Sequence, residues 1–335
     1  MLKPSVGGLM LVLGGGLLQG AFMAPVRFIR KWAWENYWLV FATTAYLVIP
    51  WIIAAFTVPK LLEIYTTTPT TALIEVVAFG TAWGIGALAF GLGVDKLGMS
   101  LGFAIIIGTG TIVGTVIPLV TAPSNLTRGS LLLILGCLVI TVSGVIVCSS
   151  SGRWKEAGAM RSGKYRQGVL ICIASGTLSA CGNLGLAFGS AITERAQSLG
   201  VTSSVASNAL WALLTLPLFL FNSGFSLVQL LKNHTLTHYA TAWKSNLLFA
   251  VSMGVLWMTG LSFYGSGAER LGSVGTSIGF AIFMSSTVLT AAGLGILMGE
   301  WKNAPGKAMR QMGAGVALLL IAICLLAAMN QHLRS

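Results

Sequence analysis

Ten long stretches without Lys, Arg, Asp or Glu dictate what this chain can become. The shortest, between Glu75 and Asp95, holds 19 residues, and the longest, between Arg195 and Lys232, holds 36. An α-helix crosses a bilayer with ~20 apolar residues, and in hydrocarbon its backbone groups must be satisfied within the helix. Each stretch therefore suits one crossing, and even the longest is too short for two crossings and a turn. Membrane β-strands are short and alternate in polarity, so a barrel is excluded. Only 8% of the 335 residues are charged, against about 25% in soluble domains. The expected fold is an all-α polytopic membrane protein of ten transmembrane helices. They are expected at about 6–26, 37–58, 72–94, 98–120, 129–148, 168–191, 203–225, 245–268, 273–299 and 312–329. Lys3 ahead of the first span imitates a signal peptide, but no small-residue cleavage site precedes Arg27, so that span is retained as a helix.

The chain also repeats itself, which constrains the fold further. Trp83, Gly86, Phe90, Gly91, Gly93, Asp95, Lys96, Leu97 and Gly98 align with Trp257, Gly260, Tyr264, Gly265, Gly267, Glu269, Arg270, Leu271 and Gly272 at an offset of 174. After a three-residue insertion, Ser100, Gly102, Phe103, Ala104 and Ile105 align with Ser277, Gly279, Phe280, Ala281 and Ile282 at 177. Residues 1–152 form a first five-helix repeat, 153–167 a basic connecting loop, and 168–335 a second five-helix repeat. Five is odd, so the second copy enters from the opposite side. The expected architecture is two inverted five-helix repeats, the usual construction of secondary transporters.

Of the 20 Lys and Arg, 14 fall in the loops after the odd-numbered spans. The positive-inside rule then puts both termini on the periplasmic side of a bacterial inner membrane. Membrane orientation thus accounts for the net charge of +12, and no nucleic-acid partner is implied. The five cysteines fall mostly inside spans and read as packing residues. The 42 glycines, several spaced Gly-x-x-x-Gly, read as seams where helix backbones approach closely.

No charged residue lies mid-span. A carrier of anions or organic cations would bury a counter-charge; a neutral, hydroxyl-rich solute needs amides, hydroxyls and aromatic faces instead. The mid-span candidates are Gln19, Trp83, Thr109, Asn183, Asn208, Trp211, Trp257, Ser262, Tyr264, Ser285 and Ser286. Most tryptophans sit at span ends, where an interfacial belt explains Trp32, Trp34, Trp38, Trp51, Trp154, Trp243 and Trp301. Trp83 and Trp257 are central repeat mates, expected to face one midplane cavity from opposite halves. Helix packing and interhelical hydrogen bonding are the structural alternatives for these residues. For proton coupling the candidates are Glu75, the most deeply placed acid, and Glu35, at the inner mouth of the second span. Each is also readable as a solvated interfacial acid. His234 and His238 lack a third ligand, so no metal is expected. No cofactor motif and no catalytic constellation appears.

At these residues a family resemblance is visible. Ala24-Pro25, Lys31-Trp32-x-Trp34-Glu35, Pro50-Trp51, Trp83-Gly-Ile-Gly86, Leu97-Gly-Met-Ser100-x-Gly102, Ile107-Gly108, Val113-Gly-Thr115, Ser179-Ala180 and Glu300-Trp-x-Asn303 resemble the L-rhamnose–proton symporter family of the drug/metabolite transporter superfamily. The resemblance spans most of the chain. It implies ten helices in inverted repeats, and uptake of a 6-deoxyhexose, L-rhamnose or a relative, with protons. Ala87 and Gly260 stand where the resemblance implies Asn and Gln in the enterobacterial member, and both positions are expected near the sugar. The competing readings are an exporter of neutral metabolites on the same fold and a non-transporting membrane scaffold or enzyme.

Overall fold

The computed structural model describes residues 4–121, 126–152 and 165–333. Most of the connecting loop, 153–164, lies outside the described residues, together with its Arg153, Trp154, Lys155, Arg161 and Lys164. Ten helices are long and apolar enough to cross a membrane among the described residues. They are α1 (Pro4–Ala21), α2 (Trp34–Thr57), α3 (Thr70–Leu97), α4 (Met99–Thr121), α5 (Arg128–Ser151), α6 (Tyr165–Ser198), α7 (Ser203–Lys232), α8 (Trp243–Leu271), α9 (Gly275–Leu297) and α10 (Gly306–His332). The chain is therefore a multi-pass membrane protein.

Local differences from the expected spans have physical causes. The span expected at 168–191 is three segments, Tyr165–Ser179, Cys181–Phe188 and Ser190–Ser198. The second break falls at Gly189, where only glycine fits, since a Cβ there would lie 2.3 Å from Leu210 and 2.6 Å from the Gly185 carbonyl. The expected Thr/Pro loop at 65–71 shrinks to Thr68 and Pro69, between a short helix, Leu61–Thr67, and α3; the short helix is pinned by the Tyr65 hydroxyl, which donates to the Ala209 carbonyl at 2.7 Å. α2 widens into a π turn over Thr44–Val48, a local feature that re-aims side chains within a helix. α7 runs seven residues beyond the expected end at Phe225. In the repeated hairpin the turn falls at Gly98, two to three residues after the expected Asp95–Lys96 turn, and its mate Gly272 shares φ 81°. Only glycine takes that backbone at low cost.

The packing has its own pattern. α1 packs along α8 and α9, while α6 packs along α3 and α4; α5 pairs with α10, α2 with α7 and α4 with α9. Exchanging every helix for the one five places away maps this set of contacts onto itself. The seams are glycine contacts. A Cβ on Gly15 would lie 2.6 Å from the Gly260 carbonyl, and one on Gly260 would lie 2.9 Å from the Gly15 carbonyl. At the corresponding α3–α6 crossing, the Ser175 hydroxyl donates to the Gly86 carbonyl at 2.8 Å. In lipid the hydrophobic effect does not drive helices together, so such close backbone approach is the main source of cohesion.

Candidate functional site

α3 and α8 carry matching aromatic faces. Trp83, Ala87 and Phe90 on α3, and Trp257, Leu261 and Tyr264 on α8, repeat at i, i+4 and i+7, which places each set on one side of its helix. Both faces line a central cavity of about 280 Å³. α1 adds Gln19, with Phe22 just past its end, α2 adds Trp38 and Tyr46, and α7 adds Trp211 and Leu218. α6 contributes Ser179, Gly182 and Asn183 at its first break, and α9 contributes Phe280, Phe283 and Met284. None of the lining side chains is charged.

The repeat mates Trp83 and Trp257 are stacked on each other, with centroids 5.7 Å apart and planes 29° apart. No gap for a solute remains between the rings. Gly182 backs Trp83, because a Cβ there would lie 2.8–2.9 Å from three indole atoms. Tyr46 packs edge-on against Trp257 at 4.8 Å, and Trp211 lies 6.4 Å from Trp83. The aromatic cluster is thus one wall of the cavity.

Hydrogen bonding assigns the Gln19 amide so that its oxygen accepts from Trp257 Nε1 at 2.9 Å and its nitrogen donates to the Trp257 carbonyl at 3.2 Å. Gln19 therefore holds the orientation of Trp257. Gln19→Leu is expected to leave a buried indole N–H unpaired, at a cost of about 1–3 kcal/mol, and to show as a lower unfolding temperature and an altered Trp fluorescence maximum. An unchanged temperature and spectrum would contradict this assignment. Asn183 donates to the Gly114 carbonyl at 2.7 Å and the Thr276 carbonyl at 2.9 Å, and accepts from the Tyr264 hydroxyl. Its amide is engaged by three helices besides its own.

Of the residues singled out from the sequence, Gln19, Trp83, Asn183, Trp211, Trp257 and Tyr264 meet at this cavity, and Thr109, Asn208 and Ser285 do not line it. Thr109 lies in a separate cleft between α4, α5 and α6. Asn208 donates to Thr57 Oγ1 at 3.0 Å, and Ser285 donates to the Ala281 carbonyl in its own helix. Ser286 back-bonds in the same way, and Ser262 is buried and does not line the cavity. Ala87 lines the cavity, whereas Gly260 faces the α1 backbone instead. Glu75 is exposed on α3. Glu35 is only 6% exposed, and its Oε1 accepts from Thr235 Oγ1 at 2.8 Å and Asn233 Nδ2 at 3.1 Å. No group of three metal-ligating side chains occurs among the described residues.

Several lining residues carry no sequence signal. Trp38 sits near a span end and passed for an interfacial residue, yet it lines the cavity and its Nε1 donates to Asn222 Oδ1 at 3.3 Å. Tyr46 falls inside the π turn of α2, which a 3.6-residue period does not anticipate.

The L-rhamnose-proton symport protein family matches residues 3–330. L-rhamnose-proton symporters from Cronobacter sakazakii and Citrobacter koseri are 28% and 29% identical to the chain, over 94% and 92% of it and 95% and 93% of their own lengths. The Escherichia coli O1:K1 symporter is 27% identical over 92% of the chain and 93% of its own length. A match of this extent, over a ten-span helical bundle with an uncharged aromatic central cavity, leaves one assignment: the chain belongs to the L-rhamnose-proton symport protein family.

Proposed function

We propose that this protein imports a neutral sugar, L-rhamnose or a related 6-deoxyhexose, with protons, by alternating access around the central cavity. The carrying observation is the lining itself. It joins stacked indole rings, amides and hydroxyls with no charged side chain, which suits a solute with apolar C–H faces and hydroxyl edges. The relatives' shared name supplies the solute and the coupling ion. Purified protein in liposomes should accumulate L-rhamnose when an inward proton gradient is imposed, and should not when the gradient is collapsed. Uptake indifferent to the gradient would overturn the coupling; absence of binding by L-rhamnose and related deoxyhexoses would overturn the substrate.

In this reading the halves are inverted repeats, supported by the self-mapping contacts and by the direct stacking of the mates Trp83 and Trp257. The even-loop face and both termini lie in the periplasm, supported by the Lys and Arg distribution. The proton is carried by Glu35 in preference to Glu75, because burial and hydrogen bonding to Asn233 and Thr235, just past the end of α7, let a change of protonation alter how α2 meets that segment. Glu35→Gln is expected to lower gradient-driven accumulation about tenfold or more while sugar counterflow persists. Unchanged accumulation in Glu35→Gln, with loss in Glu75→Gln, would transfer the role to Glu75.

A further inference from the structure

A second cavity, of about 510 Å³, opens between α4, α6, α8 and α9 on the face away from the basic loops. Hydroxyls from Ser190, Thr193, Ser273 and Thr276 line it, with one carboxylate, Glu269, whose Oε1 accepts from Gln197 at 2.8 Å. The linings of this cavity and the central one follow each other along the same four helices. On α4, Gly110 faces the central cavity and Pro118 the second one. On α6 the same change occurs between Asn183 and Leu186, on α8 between Tyr264 and Gly265, and on α9 between Phe280 and Thr276. The groups at these changes are those of the Asn183 network: the Gly114 and Thr276 carbonyls and the Tyr264 hydroxyl. One amide at the break in α6 thus ties four helices together where the linings change.

The opposite half differs at the position equivalent to Tyr264. The repeat mate of Tyr264 is Phe90, which lacks a hydroxyl and lines the central cavity. Its ring packs edge-on against Phe103 instead. The duplicated scaffold therefore does not repeat the tyrosine hydroxyl tie at the mate position.

We propose that the second cavity is the outer docking chamber for a neutral, polyhydroxylated solute, and that the Asn183–Tyr264 network is the closed door between it and the central cavity. This rests on the transport reading for the solute, but the door stands or falls separately. The chamber's hydroxyls match the solute's hydrogen-bonding edges. Passage requires the Tyr264–Asn183 bond and at least one carbonyl bond to open, so the network favours the state closed on this face.

The test is sided labelling with an impermeant thiosulfonate, applied to intact cells and to inside-out vesicles, in a Cys181→Ala parent. Ser190→Cys should react from the chamber face, and Ala87→Cys only from the face of the basic loops. Adding Tyr264→Phe should raise labelling of Ala87→Cys from the chamber face about tenfold, as expected for one lost buried hydrogen bond. Asn183→Ala should raise it further. L-rhamnose should slow labelling at Ser190→Cys. Equal reactivity of Ala87→Cys from both faces with the network intact, or no change on Tyr264→Phe in folded protein, would overturn the door. Protein that binds L-rhamnose by thermal shift yet shows no protection at Ser190→Cys would overturn the chamber. If L-rhamnose is not bound at all, the function is wrong, and the sidedness of labelling still decides the door.

Discussion

Trp257→Ala and Trp83→Ala are each expected to weaken L-rhamnose binding about tenfold or more, and the double substitution to cost less than the two together. The rings stack at 5.7 Å, so each is the other's support, and residues in contact are non-additive. An aromatic pair contributes ~0.5–1.5 kcal/mol beyond the area it buries. Trp257 Nε1 also donates to the Gln19 amide oxygen, so loss of the indole leaves that oxygen without its partner in the cavity wall. Trp→Phe at either position keeps an apolar face and is expected to cost less than Trp→Ala. The measurement is a sugar titration by thermal shift or calorimetry on folded variants. Affinity unchanged by both single substitutions would remove the stack from the binding site.

Gly260→Val is expected to destabilise the fold by about 3 kcal/mol or to prevent its assembly, which is the upper part of the range for overpacking. Its Cβ would lie 2.9 Å from the Gly15 carbonyl and 3.2 Å from the Gln19 backbone nitrogen. Backbone stands on both sides of that contact, so no side chain can rotate away. The same crossing sets the height of Gln19 against Trp257, so damage there should reach the cavity as well as the seam. Gly136→Val on α5 is the control. Nothing lies within 4 Å of its Cβ position, and it should leave stability within ~0.5 kcal/mol. Comparable unfolding temperatures and detergent-extracted yields for the two variants would show that the α1–α8 seam is not the constraint it is taken to be.

The glycine pattern and the indole positions were open to reading before any coordinates, but in different degrees. Gly-x-x-x-Gly spacing announces close helix contact, because only small residues let backbones meet in lipid. It does not say which helix is met. Gly260 was expected beside the sugar and instead meets α1, since partner choice depends on how all ten helices pack. The amides show the same limit. Gln19 and Asn183 were legible as polar residues too costly to face lipid. That one orients an indole and the other ties four helices follows from the placement of Trp257, Gly114, Thr276 and Tyr264 in space.

Sequence alone determined the ten spans, because water, lipid and backbone hydrogen bonding allow one outcome for charge-free stretches of this length. It also determined the equivalence of Trp83 and Trp257, because that is a matter of alignment. Tertiary structure decided the rest. The π turn that carries Tyr46 inward, the breaks in α6, the burial of Glu35 against Thr235 and the exposure of Glu75 depend on contacts between residues up to 200 positions apart. Such contacts arise from packing, which local hydropathy does not encode.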